Sequence, residues 1–244
     1  MIVLFTDFGL GGPYTGQVKA VLRRAAPEAD IIDLFADAPA HDPKAAAYLL
    51  AAYVEEFPRG TVFLCVVDPE VGGTRTPGVF MADGRWYVGP ENGLLEIVLR
   101  RAGGTARWWE ITWRPQRLSA TFHGRDLFAP VAARMALGEE PPGLERPLEE
   151  IRRTDWPDDL AEVIFVDGFG NGITGVRAAK VPGGAEIEVA GRRLKRADTF
   201  LDFPPGEPFW YENANGLAEL AVNQGRADRD LSSGIGTPIK ILAI

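Results

Sequence analysis

The sequence predicts an N-terminal α/β domain with a mainly parallel sheet, followed by a small C-terminal β-barrel domain. Three observations carry that reading. The first half alternates short, near-continuous apolar runs such as IVLFT and TVFLCVV with amphipathic helical segments, the pattern of parallel strands buried on both faces. A stretch rich in proline and charge, EEPPGLERPLEEIRRTDWPDD, then breaks the periodicity, as a linker does. Beyond it come only short strands separated by glycine-bearing turns, which suits a small barrel or sandwich. The expected boundaries are 1–140 for the α/β domain, 141–157 for the linker and 158–244 for the β domain.

Each element has its own signal. IVLFT, ADIIDLF and TVFLCVV read as strands. TGQVKAVLRRAA places Val18, Val21, Leu22 and Ala25 on one helical face. In DPKAAAYLLAAYVEEF, Asp42 is positioned to cap and Pro43 to occupy the first helical turn. GVFMADGRWYVG predicts a hairpin across Asp83-Gly84. ENGLLEIVLRRA and DLFAPVAARMALG add two helices, the second closed by Gly138. In the last third, LAEVIFVD, GITGVRA, AEIEVAGRRLK, PFWYEN and PIKILAI read as strands.

The composition excludes several classes. A net charge of −8 opposes nucleic-acid binding, which requires a basic patch to neutralise phosphates. The one cysteine, Cys65, sits inside an apolar run, where burial suppresses the thiolate, and it has no partner for a disulfide. The first residues, MIVLFTDFG, carry no basic leader and no apolar run long enough for a signal peptide or a membrane span. A cytoplasmic location is the expectation, with no membrane partner.

The polar residues collect at strand ends. IVLFT runs straight into Asp7 and TVFLCVV into Asp68, so two carboxylates are expected on the ligand-binding edge of the sheet. Each is followed by a loop with glycines. TDFGLGG lacks the spacing of a dinucleotide fingerprint, and no phosphate-binding Gly-Lys-Ser/Thr occurs. A ribose, whose vicinal hydroxyls a carboxylate can bind, fits better than an anion. Arg75 lies in the loop after Asp68. His123, in FHGRD, is one of two histidines, and it reads either as a neighbour of a helix entry or as a catalytic group. Two distant histidines and a buried cysteine do not make a zinc site, so no metal is expected. In the β domain, VDGFGN places Phe169 and Asn171 beside Asp167, able to stack on and hydrogen-bond to a base. ENANG offers amide groups to a polar ligand.

Taken in order, TDFG, VDPEVGGTR, FHGRDLFAP, VDGFGN and ENANGLAELAVNQG resemble the successive motifs of the S-adenosyl-L-methionine (SAM) hydroxide adenosyltransferases, or SAM hydrolases, relatives of the fluorinating and chlorinating SAM enzymes. The resemblance implies the two-domain fold above, assembled as a homotrimer with SAM between one subunit's N-terminal domain and its neighbour's C-terminal domain. It implies hydrolysis of SAM to adenosine and L-methionine by water attacking ribose C5′, SAM being the substrate and no cofactor being needed. Asp7 would hold the ribose, and Asp68, Arg75 and His123 would activate water. Asp167 and Asn213 would lie near the methionine end, with Phe169, Asn171 and the Asn223–Gly225 backbone near the adenine. One departure from the family's pattern is visible, at Gly12. Gly12 stands where the family commonly has an acidic residue, and His41 falls where halogenating relatives place an aromatic ring. A chlorinase-like halogenase and a non-catalytic SAM- or adenosine-binding protein are the alternative readings.

Overall fold

The structure, a computed structural model, describes residues 1–243. The chain divides into two compact units, Met1–Asp155 and Trp156–Ile244.

In the N-terminal unit, β1 (Ile2–Thr6) leads through α1 (Tyr14–Ala25) to β2 (Ile31–Phe35), then α2 (Pro43–Tyr53), β3 (Val62–Val66), β4 (Pro77–Ala82), β5 (Arg85–Pro90) and α3 (Glu96–Arg101). β6 (Arg107–Ile111), α4 (Ala129–Ala136) and β7 (Gly143–Arg146) follow. The sheet order is β2-β1-β3-β5-β4-β6-β7. All five residues of β1 and of β3 are buried, which is why both read as unbroken apolar runs. Successive residues still face opposite ways. Ile2 and Leu4 of β1, with Val62, Leu64 and Val66 of β3, pack against Val18 and Leu22 of α1 and the Ala129–Ala133 stretch of α4.

The sheet is mixed, not mainly parallel. β2, β1, β3 and β5 run parallel, but β4, β6 and β7 join by antiparallel pairing. The Asp83-Gly84 turn, with φ of 49° and 75°, returns the chain in two residues as that dipeptide allows, so no helix separates β4 from β5. β6 has no counterpart in the sequence reading, and β7 lies inside the segment expected to be a linker. Its register against β6, Ile111↔Gly143 to Trp108↔Arg146, makes 143–146 an edge strand of this sheet.

The helix signals hold locally. The Asp42 carboxylate accepts a hydrogen bond from the Ala45 amide at 2.9 Å with Pro43 in the first turn. Gly138 ends α4 at φ 80°. The turn preceding α4, Gly124–Phe128, is a wide π-turn in which the Ala129 amide bonds to the Gly124 carbonyl. Pro130 accounts for it: proline has no N–H to give and crowds the carbonyl four residues back, so the preceding turn opens.

The C-terminal unit is antiparallel throughout its sheets. β8 (Leu160–Val166), β9 (Gly172–Arg177), β12 (Pro208–Glu212) and β13 (Leu217–Val222) form a sheet of order β12-β13-β9-β8. β10 (Glu186–Val189), β11 (Arg192–Leu194) and β14 (Ile239–Leu242) form a second, of order β11-β10-β14. Trp210, Ile187, Leu194, Val163 and Leu220 share the core of this unit. β13 is buried along its whole length, yet LAELAV reads as a good helix former. Burial between β12 and β9 overrides that propensity.

Removing the Asp42 cap should destabilise the N-terminal unit at the start of α2. Asp42→Ala is expected to cost about 1 kcal/mol, seen as a melting temperature lower by roughly 2–4 °C in a chain of this size.

Candidate active site

The strand order 2-1-3 sets the position of the site. From β1 the chain passes first to β2 on one side, then returns to β3 on the other, so the loops leaving β1 and β3 diverge and open a crevice between them. Thr6 pairs with Val66 at the ends of these strands. Asp7 and Asp68 therefore stand side by side at the same edge, as the sequence reading expects. A cleft of about 470 Å³ opens there, and Asp7, His41, Asp68 and His123 are among its walls.

Arg75 connects the two loops. Its Nε donates to both Asp68 oxygens at 3.0 and 2.9 Å, and one terminal nitrogen makes a further short contact to Asp68 Oδ2. The same nitrogen lies 2.9 Å from His123 Nδ1. A guanidinium has only donors, so Nδ1 must be the acceptor, and the imidazole is neutral with its proton on Nε2. Arg75 and Asp68 are each 4% exposed, and the guanidinium sits 5.3 Å from the centre of the Phe128 ring. The order of the trio is thus Asp68–Arg75–His123, with the arginine in the middle. Burial, and next the Arg75 charge, hold the His123 imidazole below its ordinary pKa, consistent with the neutral form.

Three local features keep this geometry. Gly72 has φ 81°, and a Cβ there would come within 2.5 Å of the Ala120 carbonyl, so the Asp68–Arg75 loop lies directly on the loop before His123. Asp126 accepts from the Ser119 amide at 2.9 Å, tying the two ends of that second loop together. A Cβ on Gly124 would meet the Phe8 ring at 2.8 Å, which presses the π-turn against the loop of Asp7. Asp7 is held from its other side. His41 adopts a left-handed φ of 60°, uncommon for a side chain of its size, and its amide donates to Asp7 Oδ2 at 3.1 Å. Burial raises the Asp7 carboxyl above its usual pKa, partly countered by that amide.

In the C-terminal unit, a second cavity of about 470 Å³ is bounded by Asp167, Phe169, Asn171, Tyr211 and Gln224 among others. Phe169 is 79% exposed, an apolar ring offered to solvent. Asp167 organises the loop: its Oδ1 accepts from the amides of Phe169 and Asn171, both at 2.9 Å. Asn213 and Asn223 are not brought to this cavity. Asn213 Oδ1 accepts from the Asn215 and Leu217 amides, closing its own turn, and the Asn223 side-chain Nδ2 donates to the Phe203 carbonyl at 2.7 Å. Gln224 and Gly225, the residues following Asn223, form the wall instead. Two participants had no sequence signal: Tyr211, read only as part of a strand, and Glu219, hidden in LAELAV. An acidic residue between apolar neighbours, three from an NANG turn, is the one hint available. Among the described residues no cluster of histidine, cysteine and carboxylates could hold a metal, and no helix is long and apolar enough to cross a membrane.

Residues 2–145 match the model of the SAM hydroxide adenosyltransferase N-terminal domain, and residues 161–240 match that of the C-terminal domain. The chain belongs to the SAM hydroxide adenosyltransferase family. It is 40% identical to a protein of Thermus thermophilus named (R)-S-adenosyl-L-methionine hydrolase, over an alignment of 260 residues that spans 99% of each chain. A fluorinase of Actinopolyspora mzabensis is 25% identical, covering 91% of this chain and 90% of its own length. The crystal structure of a conserved protein from Thermotoga maritima superposes with a TM-score of 0.88 at 33% identity, covering all of both chains. In this adenosyltransferase the motifs VDPEVGGTR and FHGRD are thus the two loops that meet at Arg75.

The position of Arg75 makes a test of the neutral imidazole. In NMR titrations His123 should titrate below about 6.5, the ordinary histidine value. Arg75→Ala removes the positive neighbour that lowers it, so the His123 midpoint should rise. The lowered value also means that His123 contributes folding stability above about pH 6.5, lost as the pH falls through its folded pKa.

Proposed function

We propose that this chain hydrolyses SAM to adenosine and L-methionine by in-line attack of water on ribose C5′. The observation that carries the reading is the buried Asp68–Arg75–His123 chain opening on the same cleft as Asp7, within a family match spanning both units. SAM's sulfonium departs as the neutral thioether of methionine, so no acid is needed for the leaving group. The water oxygen becomes the 5′-hydroxyl of adenosine, and one proton is released.

Asp7 binds the ribose diol through the carboxylate that His41 steadies. Asp68 and His123 face the cleft while Arg75 stands behind them, which divides the work. His123 Nε2–H donates to the attacking oxygen, because Nδ1 is committed to Arg75. Asp68 takes the proton: as the C–O bond forms, the attacking water becomes far more acidic than a carboxylic acid, and a weak base in contact suffices. Arg75 holds Asp68 in place, and its charge favours developing hydroxide. Holding water roughly 3 Å behind C5′ supplies much of the remaining acceleration through positioning.

The adenine is assigned to Phe169 and Asn171, with the Gln224–Gly225 backbone, and the methionine end to Asp167. Asn213 and Asn223 act by shaping the turns that frame that cavity. The site is completed between subunits of a homotrimer, as the family resemblance implies, and the C-terminal sheets close into a barrel. Two isolated bridges support closure: Glu162 with Pro238 joins the β8 and β14 edges, and Arg196 with Trp210 joins the β11 and β12 edges. Halogenation is disfavoured, since Asp68 faces the attack line and would repel a halide.

Incubating the protein with SAM in ¹⁸O-water tests the reaction directly. Adenosine labelled at the 5′-hydroxyl and methionine should appear in equal amounts, indifferent to added chloride or fluoride. His123→Ala and Arg75→Ala should each lower turnover at least about a hundredfold. SAM recovered unchanged, or a halogenated nucleoside, would overturn the proposal. Sedimentation should give three times the mass of the 26.5 kDa chain, and a monomer at assay concentration would refute the shared site.

A further inference from the structure

The turn that begins at His123 departs from regular helix. On its N-terminal side the Asp126 amide donates to the Phe122 carbonyl at 3.2 Å, the four-residue spacing of an α-helix. On its C-terminal side the Ala129 amide reaches five residues back, to the Gly124 carbonyl. One extra residue is therefore held between His123 and α4. The register of α4 itself is fixed, because Val131, Ala132, Ala133 and Met135 are buried in the core shared with β1 and β3. The extra residue accordingly displaces what precedes it, by about 100° around the helix axis and about 1.5 Å along it. At that displaced position His123 Nδ1 meets the Arg75 guanidinium at 2.9 Å.

Pro130 removes the regular alternative. In an unwidened helix the amide at position 130 would donate to the Asp126 carbonyl, four residues back. Proline has no such N–H, and its ring crowds that carbonyl. Single wide turns of this kind collect at functional sites. We propose that Pro130 is a positioning residue for the reaction: by holding the turn open it rotates His123 out of the α4 register and onto Arg75. It acts through the backbone, seven residues along the chain from the imidazole. The charged groups that act on His123 there are Arg75, first in weight, then Asp68, Arg114 and Asp126. Returned to the α4 register, the imidazole would leave the guanidinium, and the Asp68–Arg75–His123 chain would lose its last member. The effect on turnover rests on the hydrolase reading above, whereas the placement of the ring does not.

Pro130→Ala restores the missing donor and removes the ring, so the turn should close to regular helix. The experiment compares this variant with the wild type and with Arg134→Gly, which weakens α4 at a partly exposed position and leaves the proline in place. Melting temperature, the His123 midpoint by NMR, and kcat and KM for SAM are measured on each. Pro130→Ala should fold and melt no more than about 4 °C below the wild type, because alanine is the best helix former and proline the worst. Its His123 midpoint should rise toward about 6.5 as the ring leaves the Arg75 charge. Its kcat should fall at least about tenfold, with KM within about twofold, since no group assigned to binding SAM changes. Arg134→Gly should melt lower by roughly 2–4 °C and keep the wild-type midpoint and kcat. An unchanged midpoint in Pro130→Ala overturns the proposal, because the wide turn then stands without the proline. Failure of Pro130→Ala to fold also overturns it, since the proline would then be holding the helix together and not distorting it. A shifted midpoint with full turnover overturns the role of Pro130 in the reaction. A wild type that leaves SAM intact removes the hydrolase reading, and the midpoint alone then upholds or overturns the placement of His123 by Pro130.

Discussion

A guanidinium cannot be buried without acceptors, and Arg75 is almost wholly buried. That constraint organises the N-terminal unit around the cleft. It requires Asp68 beside it, since removing either partner would leave an uncompensated charge. It also fixes the His123 tautomer, because a donor-only neighbour admits one arrangement of the ring. The three side chains come from two loops far apart in sequence, so the loops must meet within tenths of an ångström. Gly72, with no side chain to hold them apart, makes that approach possible.

The wall opposite depends on the sheet. Asp7 reaches the cleft because β1 is the switch strand, flanked by β2 and β3, and the turn before α2 bends through His41 to meet it. The second cavity repeats the logic with different means. Asp167 gathers backbone amides with one oxygen and a side-chain amide with the other, while Glu219 collects donors from β12 and from the turn that follows it. In both places a buried carboxylate orders the groups around it, and the groups at the surface inherit their orientation.

Much of this was legible in the sequence. Apolar runs ending in Asp7 and Asp68 marked the working edge of the sheet, since strands buried on both faces have no other way to be written. The Asp42 cap, the Asp83-Gly84 turn and Gly138 were readable because each depends on local backbone chemistry alone. The trio was found as residues but not as an order: that Arg75 separates Asp68 from His123 depends on loop packing that spacing does not encode. β6, β7 and β13 escaped for related reasons. RWWEI and GLER pair only because β4 offers an edge, and LAELAV is a strand because of what lies on either side of it. Glu219 was invisible since burial, not residue type, gives it a role.

The packing of Phe8 against Gly124 also bears on how this cleft could change over evolutionary time. Gly124 cannot acquire a side chain while the Phe8 ring stays where it is, and Phe8 adjoins Asp7, which has its own partner in His41. A route toward different chemistry at this position is therefore ordered: the ring must shrink or move first, and only then can a new polar group enter. The present composition of the cleft is in that sense shaped by steric epistasis.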